Sequence, residues 1–566
     1  MTNSTGNINH NWSIRLIQLL YFVGVRDICI ASGSRSAPLT IAAETLVSNH
    51  FESQDPIELH GHFDERGLGF FALGIAKAKS KPVAVITTSG TAVANLLPAA
   101  IEANQTGVPL ILITADRPDE LLDCGANQAI RQKHIFGEQV QGNCSLPTPS
   151  SDLSPNVLAS LLEPLLIHLG NGPIHINCPF RDPLYPDTPD NLYLPAQLKN
   201  PFTSDQFLKP AFDNINAAEQ LNNIPRIESL IFVGAVNLDE AMQILKWAEQ
   251  NNHMVVADIS SNLRLLRHKN LLPYPELILA SKTGKDWFTK VNQVIQFGGR
   301  LVSKRLHQWL GSIDSYYIIS KGCHYLDPHR KALQIRCDVE FACERLKQIQ
   351  PKIDLPSEIA TMVEDLICQH FDNSYSEISI NRVISRLVTE QTTMFIGNSL
   401  SIRWMDLLSV PNRNITQMFT NRGASGIDGL IATAAGINHT GKPVVLLLGD
   451  TSALHDLNSL ALAAQCSHSM TIVVINNQGG SIFNLLPAAL LPDINNRWFK
   501  CEHSWSFEHA AKMFDIEYHG VSELEEFQNT LLTSQSQKRT ILIECRFEPD
   551  HATNVFKNFM NQAGEL

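Results

Sequence analysis

At 566 residues the chain exceeds what one hydrophobic core organises and predicts roughly two to four domains. Its 44 Lys and Arg against 56 Asp and Glu give a formal net charge of −12, which excludes a general nucleic-acid binder and means that any pocket for anions is built locally. The 11 cysteines are scattered without a Cys-x-x-Cys pair, several inside apolar runs such as "DICIASGS" and "ILIECRF", which is the usage of reduced core residues in a cytosolic protein rather than of a disulfide scaffold.

The opening "MTNSTGNINHNWSIRLIQLL" has no basic region followed by an apolar stretch and a small-residue cleavage site, and no later apolar run reaches about 18 residues. The expected location is therefore the cytoplasm, with no membrane insertion. A first strand, "VRDICIAS", leads to "LHGHFDERGLGFFALGIAKA" (Leu59 to Ala78), where Asp64 and Glu65 stand at the start of a glycine-dotted apolar helix. Taken alone, such a pair simply favours the positive end of the helix dipole. Strands follow in "KPVAVITTS" and "VPLILITAD", and then a Pro-rich passage from Cys178 to Pro201 reads as a linker. Further strands are predicted in "ESLIFVGA", "NHMVVADIS" and "SYYIISKG", before a mostly helical connection around Leu355 to Glu377. The last segment carries "TTMFIGNS", "KPVVLLLGD" and "MTIVVINN". Continuous apolar strands alternating with helices mean buried parallel sheets, so the fold class is α/β. The predicted layout is an N-terminal domain over 1–185, a linker over 186–225, a central α/β domain over 226–354 and a C-terminal domain over 355–566.

The first and last domains resemble each other. Sliding the chain along itself until Lys81 meets Lys442 lays Lys81 to Asp116 on Lys442 to Asn477 without a gap; both start Lys-Pro-Val, run a strand into a small-residue turn, carry a helix and return to a second strand. Where the first copy has the neutral turn "TSGTA", the second has "GDTSA", which places Asp450 at a strand end and a helix start. That end of a parallel sheet is where ligands bind, and a helix N-terminus offers N–H groups to phosphate. The next strand ends in "NNQGG", Asn476 to Gly480. A carboxylate and an amide at adjacent strand ends can converge on one hard cation, with a backbone carbonyl of the Gly-rich turn and diphosphate oxygens completing an octahedron of the kind Mg²⁺ prefers.

A Gly-Asp turn followed, after just under thirty residues, by Asn-Asn and glycine is similar to the signature of the thiamine diphosphate (ThDP) enzyme superfamily. The resemblance implies that superfamily's three-domain architecture: a pyrimidine-binding domain and a related diphosphate-binding domain, both with parallel sheets, flanking the central α/β domain. It implies that Asp450, Asn477 and the Gly479 carbonyl bind Mg²⁺, with Mn²⁺ as a substitute, and that Gly449, Asp450, Thr451, Ser452 and Asn477 hold the cofactor. Thr451 departs from the family pattern, where many members have glycine. By the same resemblance Glu65 hydrogen-bonds the cofactor's pyrimidine N1′ and promotes its activation, with Asp64 as the rival carboxylate, and Ile427 in "RGASGID" lies under the folded cofactor. Glu65 then does general acid/base work. The active site is expected to combine domains of two subunits, hence a homodimer or homotetramer.

Several stretches reach beyond the superfamily: "ASGSRSAPLT" (31–40), "HFDERGLG" (62–69), "TSGTAVANLLPA" (88–99), "TADRPDELLDCGANQAIRQ" (114–132), "GNSLSIR" (397–403), "NRGASGIDG" (421–429) and "NNQGGSIFNLLP" (476–487). Together they resemble the 2-succinyl-5-enolpyruvyl-6-hydroxy-3-cyclohexene-1-carboxylate (SEPHCHC) synthase family of menaquinone biosynthesis; Ser32 stands where that family usually has proline. The resemblance implies decarboxylation of 2-oxoglutarate and 1,4-addition of the resulting succinic-semialdehyde carbanion to isochorismate. Two anionic substrates ask for two-pronged guanidinium donors, and Arg35, Arg117, Arg403 and Arg422 are all expected in turns beside strand ends despite the acidic total. By resemblance Arg35, Arg117, Asn127, Gln128, Ser399 and Arg403 line the substrate site, Ser34 lies near the reacting carbons, and Lys304 contributes from the central domain. Arg422, Ile482 and Phe483 shape the cavity, with Ser399 and Arg422 also at the cofactor. His60 and His62 flank the motif and read as polar residues of a turn.

Two rival readings stand beside this one. Another ThDP-dependent 2-oxoacid lyase or carboligase acting on apolar substrates would not need so many arginines, and a flavin site would need a glycine-rich central loop where "FVGAVNLDEA" has only Gly234, so no FAD is expected. A regulator-binding protein with a vestigial cofactor site would use a basic patch such as Arg300, Lys304 and Arg305, but the intact Glu65, Asp450 and Asn477 argue for catalysis.

Overall fold

The computed structural model describes residues 4–49, 54–187, 200–202, 205–208, 210, 212–351, 357–412 and 416–566. Three six-stranded sheets organise them, and every strand pair is parallel. The first holds β1 (Asp27–Ala31), β2 (Glu58–Gly61), β3 (Val83–Thr87), β4 (Leu110–Asp116), β5 (Gly142–Ser145) and β6 (Ile174–Pro179) in the order β2-β1-β3-β4-β6-β5. The central one holds β7 (Glu228–Val233), β8 (Val255–Ala257), β9 (Gln293–Phe297), β10 (Ser315–Ser320), β11 (Leu333–Arg336) and β12 (Gln350–Pro351), ordered β11-β10-β9-β7-β12 with β8 also on β7. In the last, β13 (Thr393–Ile396), β14 (Met418–Phe419), β15 (Val444–Gly449), β16 (Met470–Asn476), β17 (Glu517–Val521) and β18 (Thr540–Arg546) run β14-β13-β15-β16-β18-β17. The inner strands β3, β4 and β16 are buried along their whole length, as sheets covered by helices on both faces require.

The first and last sheets share one strand order, as a repeated unit demands. Register refines the gap-free match, because Thr87 pairs with Thr114 but Leu448 pairs with Val474, so the second copy's crossover is one residue shorter. Counted by pairing, Ser89 is equivalent to Asp450, Asp116 to Asn476 and Arg117 to Asn477. An inter-strand bridge supports this register. Asn177 Nδ2 donates to Asp116 Oδ2 at 2.8 Å in the first sheet, and at the equivalent place Asn476 Nδ2 donates to Glu544 Oε1 at 2.6 Å, with donor and acceptor strands exchanged.

The chain divides into two compact units: one gathers Met1–Ala211, Gly423–Thr440 and Asn458–Ala463, and the other gathers Phe212–Arg422, Gly441–Leu457 and Ala464–Leu566. Residues 188–199 of the expected linker lie outside the described residues. Beyond them, Phe202 and Phe207 join the core of the first sheet, whereas Asn214–Asn222 forms a helix whose Ala217 and Leu221 enter a core of the central sheet. The end of the passage expected as linker is thus a folded part of the second unit. The expected boundary at 354/355 also lies outside the described residues; the helix Ser357–Phe371 follows it. Gly234 is a packing residue, since a Cβ there would meet the Gly299 carbonyl oxygen at 2.1 Å.

Within the first unit the helix Glu65–Lys79 lies against the helix Leu430–His439. A Cβ on Gly74 would stand 2.1 Å from the Thr433 carbonyl oxygen, and one on Gly436 2.1 Å from that of Phe71. Two glycines, one per helix, therefore let backbone approach backbone. This explains the glycine-dotted helix and ties the Glu65 segment to the helix that follows Ile427.

Candidate active site

The expected site residues fall in both units, and each half is built by its own strand ends. In the first unit Asp64 is the N-cap, its Oδ1 accepting from the backbone N–H groups of Arg66 (3.0 Å) and Gly67 (3.3 Å) and its Oδ2 from Asn458 Nδ2 (3.2 Å). The two carboxylates of the motif are thereby told apart: Asp64 caps, and Glu65, the first helical residue, takes no part in the cap. Glu65 Oε2 accepts from Asn95 Nδ2 at 3.3 Å, a partner in the quoted "TSGTAVAN" stretch that the sequence reading did not single out.

Ser34 and Arg35 lie in the one-turn helix Ser34–Ser36 that follows β1. Arg35 Nη1 donates to the Phe180 carbonyl (2.9 Å) and to Asp182 Oδ2 (3.0 Å), while its buried Nε makes no hydrogen bond. Arg117, directly after β4, donates through Nη1 to Ser89 Oγ. Burial, and secondly the charge of Arg35, lower the Arg117 pKa. Two guanidinium groups near each other, one with an unused N–H, suit a carboxylate-bearing ligand. Gln128 closes the turn by donating from Nε2 to the Ser89 carbonyl (2.8 Å) and accepting Ser89 Oγ–H at its own carbonyl (3.2 Å). Gly90, at φ +80°, accommodates it, because a Cβ there would sit 2.9 Å from Gln128 Cγ. Gln132 braces the same turn by accepting from Gly90 N (3.2 Å) and donating to the Ala115 carbonyl (2.8 Å). Asn127 is exposed in this loop. Ile427, in the same unit, is half-buried shortly before the helix at Leu430.

In the second unit Asp450 opens a short helix after β15 and is buried. Its Oδ2 accepts from Gly479 N (3.0 Å), and its Oδ1 from Thr451 N (2.5 Å) and Thr451 Oγ1 (3.1 Å). Thr451, the departure from the family glycine, thus uses its hydroxyl to fix the carboxylate. Burial raises the Asp450 pKa against these hydrogen bonds. Asn477 Nδ2 donates to Glu377 Oε1 at 2.8 Å, which commits the amide nitrogen and leaves Oδ1 as the oxygen for a ligand. Gly479, at φ +138°, is required by the turn, since a Cβ would reach 2.5 Å from the Lys500 carbonyl oxygen. Asn476 is a brace between β16 and β18, and Asn477 is the donor left at the strand end.

Sequence reading missed two groups here. Glu377, buried on the helix Glu377–Leu387, has its carboxyl pushed up to about 7 by burial and by the charge of Asp450, against the hydrogen bond from Asn477. His503 is buried, with Nε2 3.4 Å from Asp450 Oδ2 and without a hydrogen-bond partner, and its ring stacks on Trp505 at 5.0 Å. A buried carboxylate, an amide oxygen and a glycine carbonyl are the oxygen donors a hard divalent cation takes, and the unsatisfied His503 nitrogen marks the same spot as made for a further polar group.

Ser399, at φ +67°, precedes the helix Leu400–Leu408, and its carbonyl accepts from Arg403 Nη1 at 2.5 Å. Arg403 is therefore on a helix, one turn in, rather than in a turn as expected. Burial, then the charge of Arg422, lower its pKa. Arg422 Nη1 donates to Asn398 Oδ1 at 3.2 Å. Phe483 packs on Phe499 with ring centroids 5.3 Å apart, and Ile482 borders an apolar core. Lys304 is exposed at the start of the helix Lys304–Leu310, with no contact to these groups among the described residues.

Three family models match in succession: a thiamine pyrophosphate enzyme N-terminal TPP-binding domain over residues 12–138, a middle domain of thiamine pyrophosphate enzymes over 196–396, and a C-terminal TPP-binding domain over 400–545. The chain is 38% identical to a 2-succinyl-5-enolpyruvyl-6-hydroxy-3-cyclohexene-1-carboxylate synthase of Histophilus somni over 99% of both chains. The chain belongs to the SEPHCHC synthase family. Other synthases of the family are as similar, with 40% identity over 91% of both chains for Halorhodospira halophila and 36% over 99% of this chain and 98% of the relative for Haemophilus influenzae. Among solved structures, benzoylformate decarboxylase from Polynucleobacter necessarius superposes with a TM-score of 0.70 at 15% identity, covering 95% of this chain and 98% of that one. That likeness speaks for the fold. As a member of the SEPHCHC synthase family the chain is a ThDP-dependent enzyme, and no helix among its described residues is long and apolar enough to cross a membrane.

Proposed function

We propose that this SEPHCHC synthase decarboxylates 2-oxoglutarate and adds the remaining four-carbon unit to isochorismate by 1,4-addition, releasing CO₂, on the route to menaquinone or phylloquinone. The observation that carries the substrate assignment is the Arg35–Arg117 pair, two neighbouring guanidinium groups on a net-acidic chain, one with a buried unpaired N–H. An apolar 2-oxoacid would have no carboxylate for the unused Arg35 N–H.

ThDP, when bound, supplies the carbon nucleophile and electron sink for such chemistry. Asp450, Asn477 and the Gly479 carbonyl hold Mg²⁺, or Mn²⁺ in its place, with Gly449, Thr451 and Ser452 at the diphosphate. Glu65 shares a proton with the aminopyrimidine N1′, held to that task because Asp64 is spent on capping. Arg35, Arg117, Asn127, Gln128, Ser399 and Arg403 line the substrate site, with Lys304 as a further candidate; Ser34 lies near the reacting carbons, and Ile482 and Phe483 shape the cavity. Arg422 and Ile427 shape the cofactor cavity.

We further propose domain limits near 185 and 354, with the central domain taking in the helix Asn214–Asn222 that packs on its sheet. Self-association into a dimer or tetramer lets one subunit's Glu65 serve another's Asp450. A cytoplasmic location is supported by the cysteines, none of which is in a disulfide among the described residues.

The test is direct. Purified protein with Mg²⁺ and ThDP receives 2-oxoglutarate with and without isochorismate, and isochorismate loss and adduct mass are followed. Turnover that requires both substrates supports the proposal. Consumption of 2-oxoglutarate without an adduct removes the acceptor assignment, and ThDP binding without any reaction favours a vestigial site.

A further inference from the structure

A cluster at the edge of the first sheet has no part in this chemistry. In β1 and β2, Asp27 is the register partner of Glu58, and His60 lies two residues further along β2, so the three share one face. The last residue of the helix Leu430–His439 brings His439 to the same face. His60 Nε2 is 3.1 Å from Asp27 Oδ1, His439 Nε2 is 3.2 Å from Glu58 Oε2, and the two imidazoles meet edge to face with centroids 4.4 Å apart. One ligand atom from each of the four residues lies within 4.8 Å of all the others. Phe71 backs the cluster at 5.6 Å from the His60 ring and 6.0 Å from the His439 ring.

We infer that Asp27, Glu58, His60 and His439 form a second metal site, distinct from the cofactor's cation site, that takes Zn²⁺ or a similar borderline divalent ion. Two carboxylates at paired register positions repel, and a cation between them removes that penalty. Two imidazole nitrogens and two carboxylate oxygens are the donor set of tetrahedral Zn²⁺, whereas Mg²⁺ and Ca²⁺ prefer oxygen alone. Bonds of about 2.0–2.1 Å put tetrahedral donors about 3.3 Å apart, close to the two short contacts already present. Lys79 is the competing cation, 2.9 and 2.8 Å from the two Asp27 oxygens. An ion beside Oδ1, where His60 points, leaves Oδ2 to Lys79.

Burial lowers the His439 pKa, with His60 adding to it, which favours the neutral ligating form. Asp27, although burial opposes it, is held below the usual carboxylate range by hydrogen bonds from His60 and Lys79. The site would clip β2, which runs directly into the Glu65 motif, to the helix that follows Ile427.

The experiment uses holoenzyme carrying Mg²⁺ and ThDP, dialysed against low-micromolar Zn²⁺ and then analysed for metal content, alongside His439→Ala and Glu58→Gln. Both side chains are partly exposed, so neither change empties a core. The expected result is about one Zn²⁺ per chain in the parent, bound about tenfold or more weakly in each variant, with Mg²⁺ and ThDP content unchanged. Co²⁺ as a probe should give the strong visible bands of a tetrahedral site in the parent and lose them in His439→Ala. Zinc uptake equal in parent and variants, no uptake at all, or Co²⁺ bands of octahedral type alone would overturn the inference. None of these outcomes depends on which substrates the enzyme uses.

Discussion

Glu65 and Asp64 show what one residue of register does to function. Asp64 spends its carboxylate on the backbone of the first helical turn, and Glu65, one position on, accepts from the Asn95 side chain. Glu65→Gln is therefore expected to slow C2 proton exchange of bound ThDP by orders of magnitude while its affinity falls far less; equal exchange in parent and variant would remove Glu65 from the activation step. Glu377 holds the Asn477 amide and, on the proposed reading, would orient its oxygen toward the cofactor's cation. With Glu377→Ala the amide loses the acceptor that turns it, and the Mg²⁺ concentration for half-maximal ThDP binding should rise about 10- to 100-fold, measured by cofactor fluorescence quenching or calorimetry. The strand-end carboxylate and amide were legible because their residue types and spacing carry the chemistry. Glu377, His503, Ser89 and Gln132 were not, because only the folding of distant segments brings them to Asn477, Asp450, Arg117 and Gly90.

Among the elements, the strands that the sequence announced are those with unbroken apolar runs, β3, β4, β15 and β16 above all. The strands it hid fall into two groups. Edge strands such as β2, β5 and β14 are short and partly exposed, so no run of apolar residues marks them. Inner strands β6, β9 and β18 carry buried polar residues, His175 and Asn177, Gln293 and Gln296, and Glu544, which interrupt the pattern yet bond across the sheet. The glycine contact between helices was legible as glycine and illegible as contact. Ala is ordinarily a better helix former than Gly by about 1 kcal/mol, but Gly436→Ala sets a methyl against the Phe71 carbonyl. We expect a net loss of roughly 1–3 kcal/mol in denaturant unfolding, together with weaker ThDP binding, because the displaced helix carries Glu65. A stabilised variant would show that the two helices are free to separate.

For the whole molecule, acid should be the sensitive direction. Burial lowers His175 to about 3 and His10 and His253 to about 4, far below the unfolded value of 6.5. Each stays neutral in the fold but takes a proton when unfolded, so the stability they contribute is full above pH 6.5 and is lost as pH falls from there through their folded values. Melting temperature should drop over that window, and less steeply in His253→Asn, whose parent ring nitrogens have no partners. A parallel fall in both proteins would assign the acid sensitivity elsewhere. The doubled strand order carries a last consequence. Where the last sheet has Asp450 and Asn477, the proposed ligands of an exchangeable ion, the first sheet at equivalent positions presents Ser89 and Arg117, already joined. On that reading one architecture would hold a borrowed positive charge at one strand end and a tethered one at the other. EDTA should release ThDP while leaving the Arg117 side able to bind a dicarboxylate such as 2-oxoglutarate, and calorimetry on the stripped protein would reveal that asymmetry.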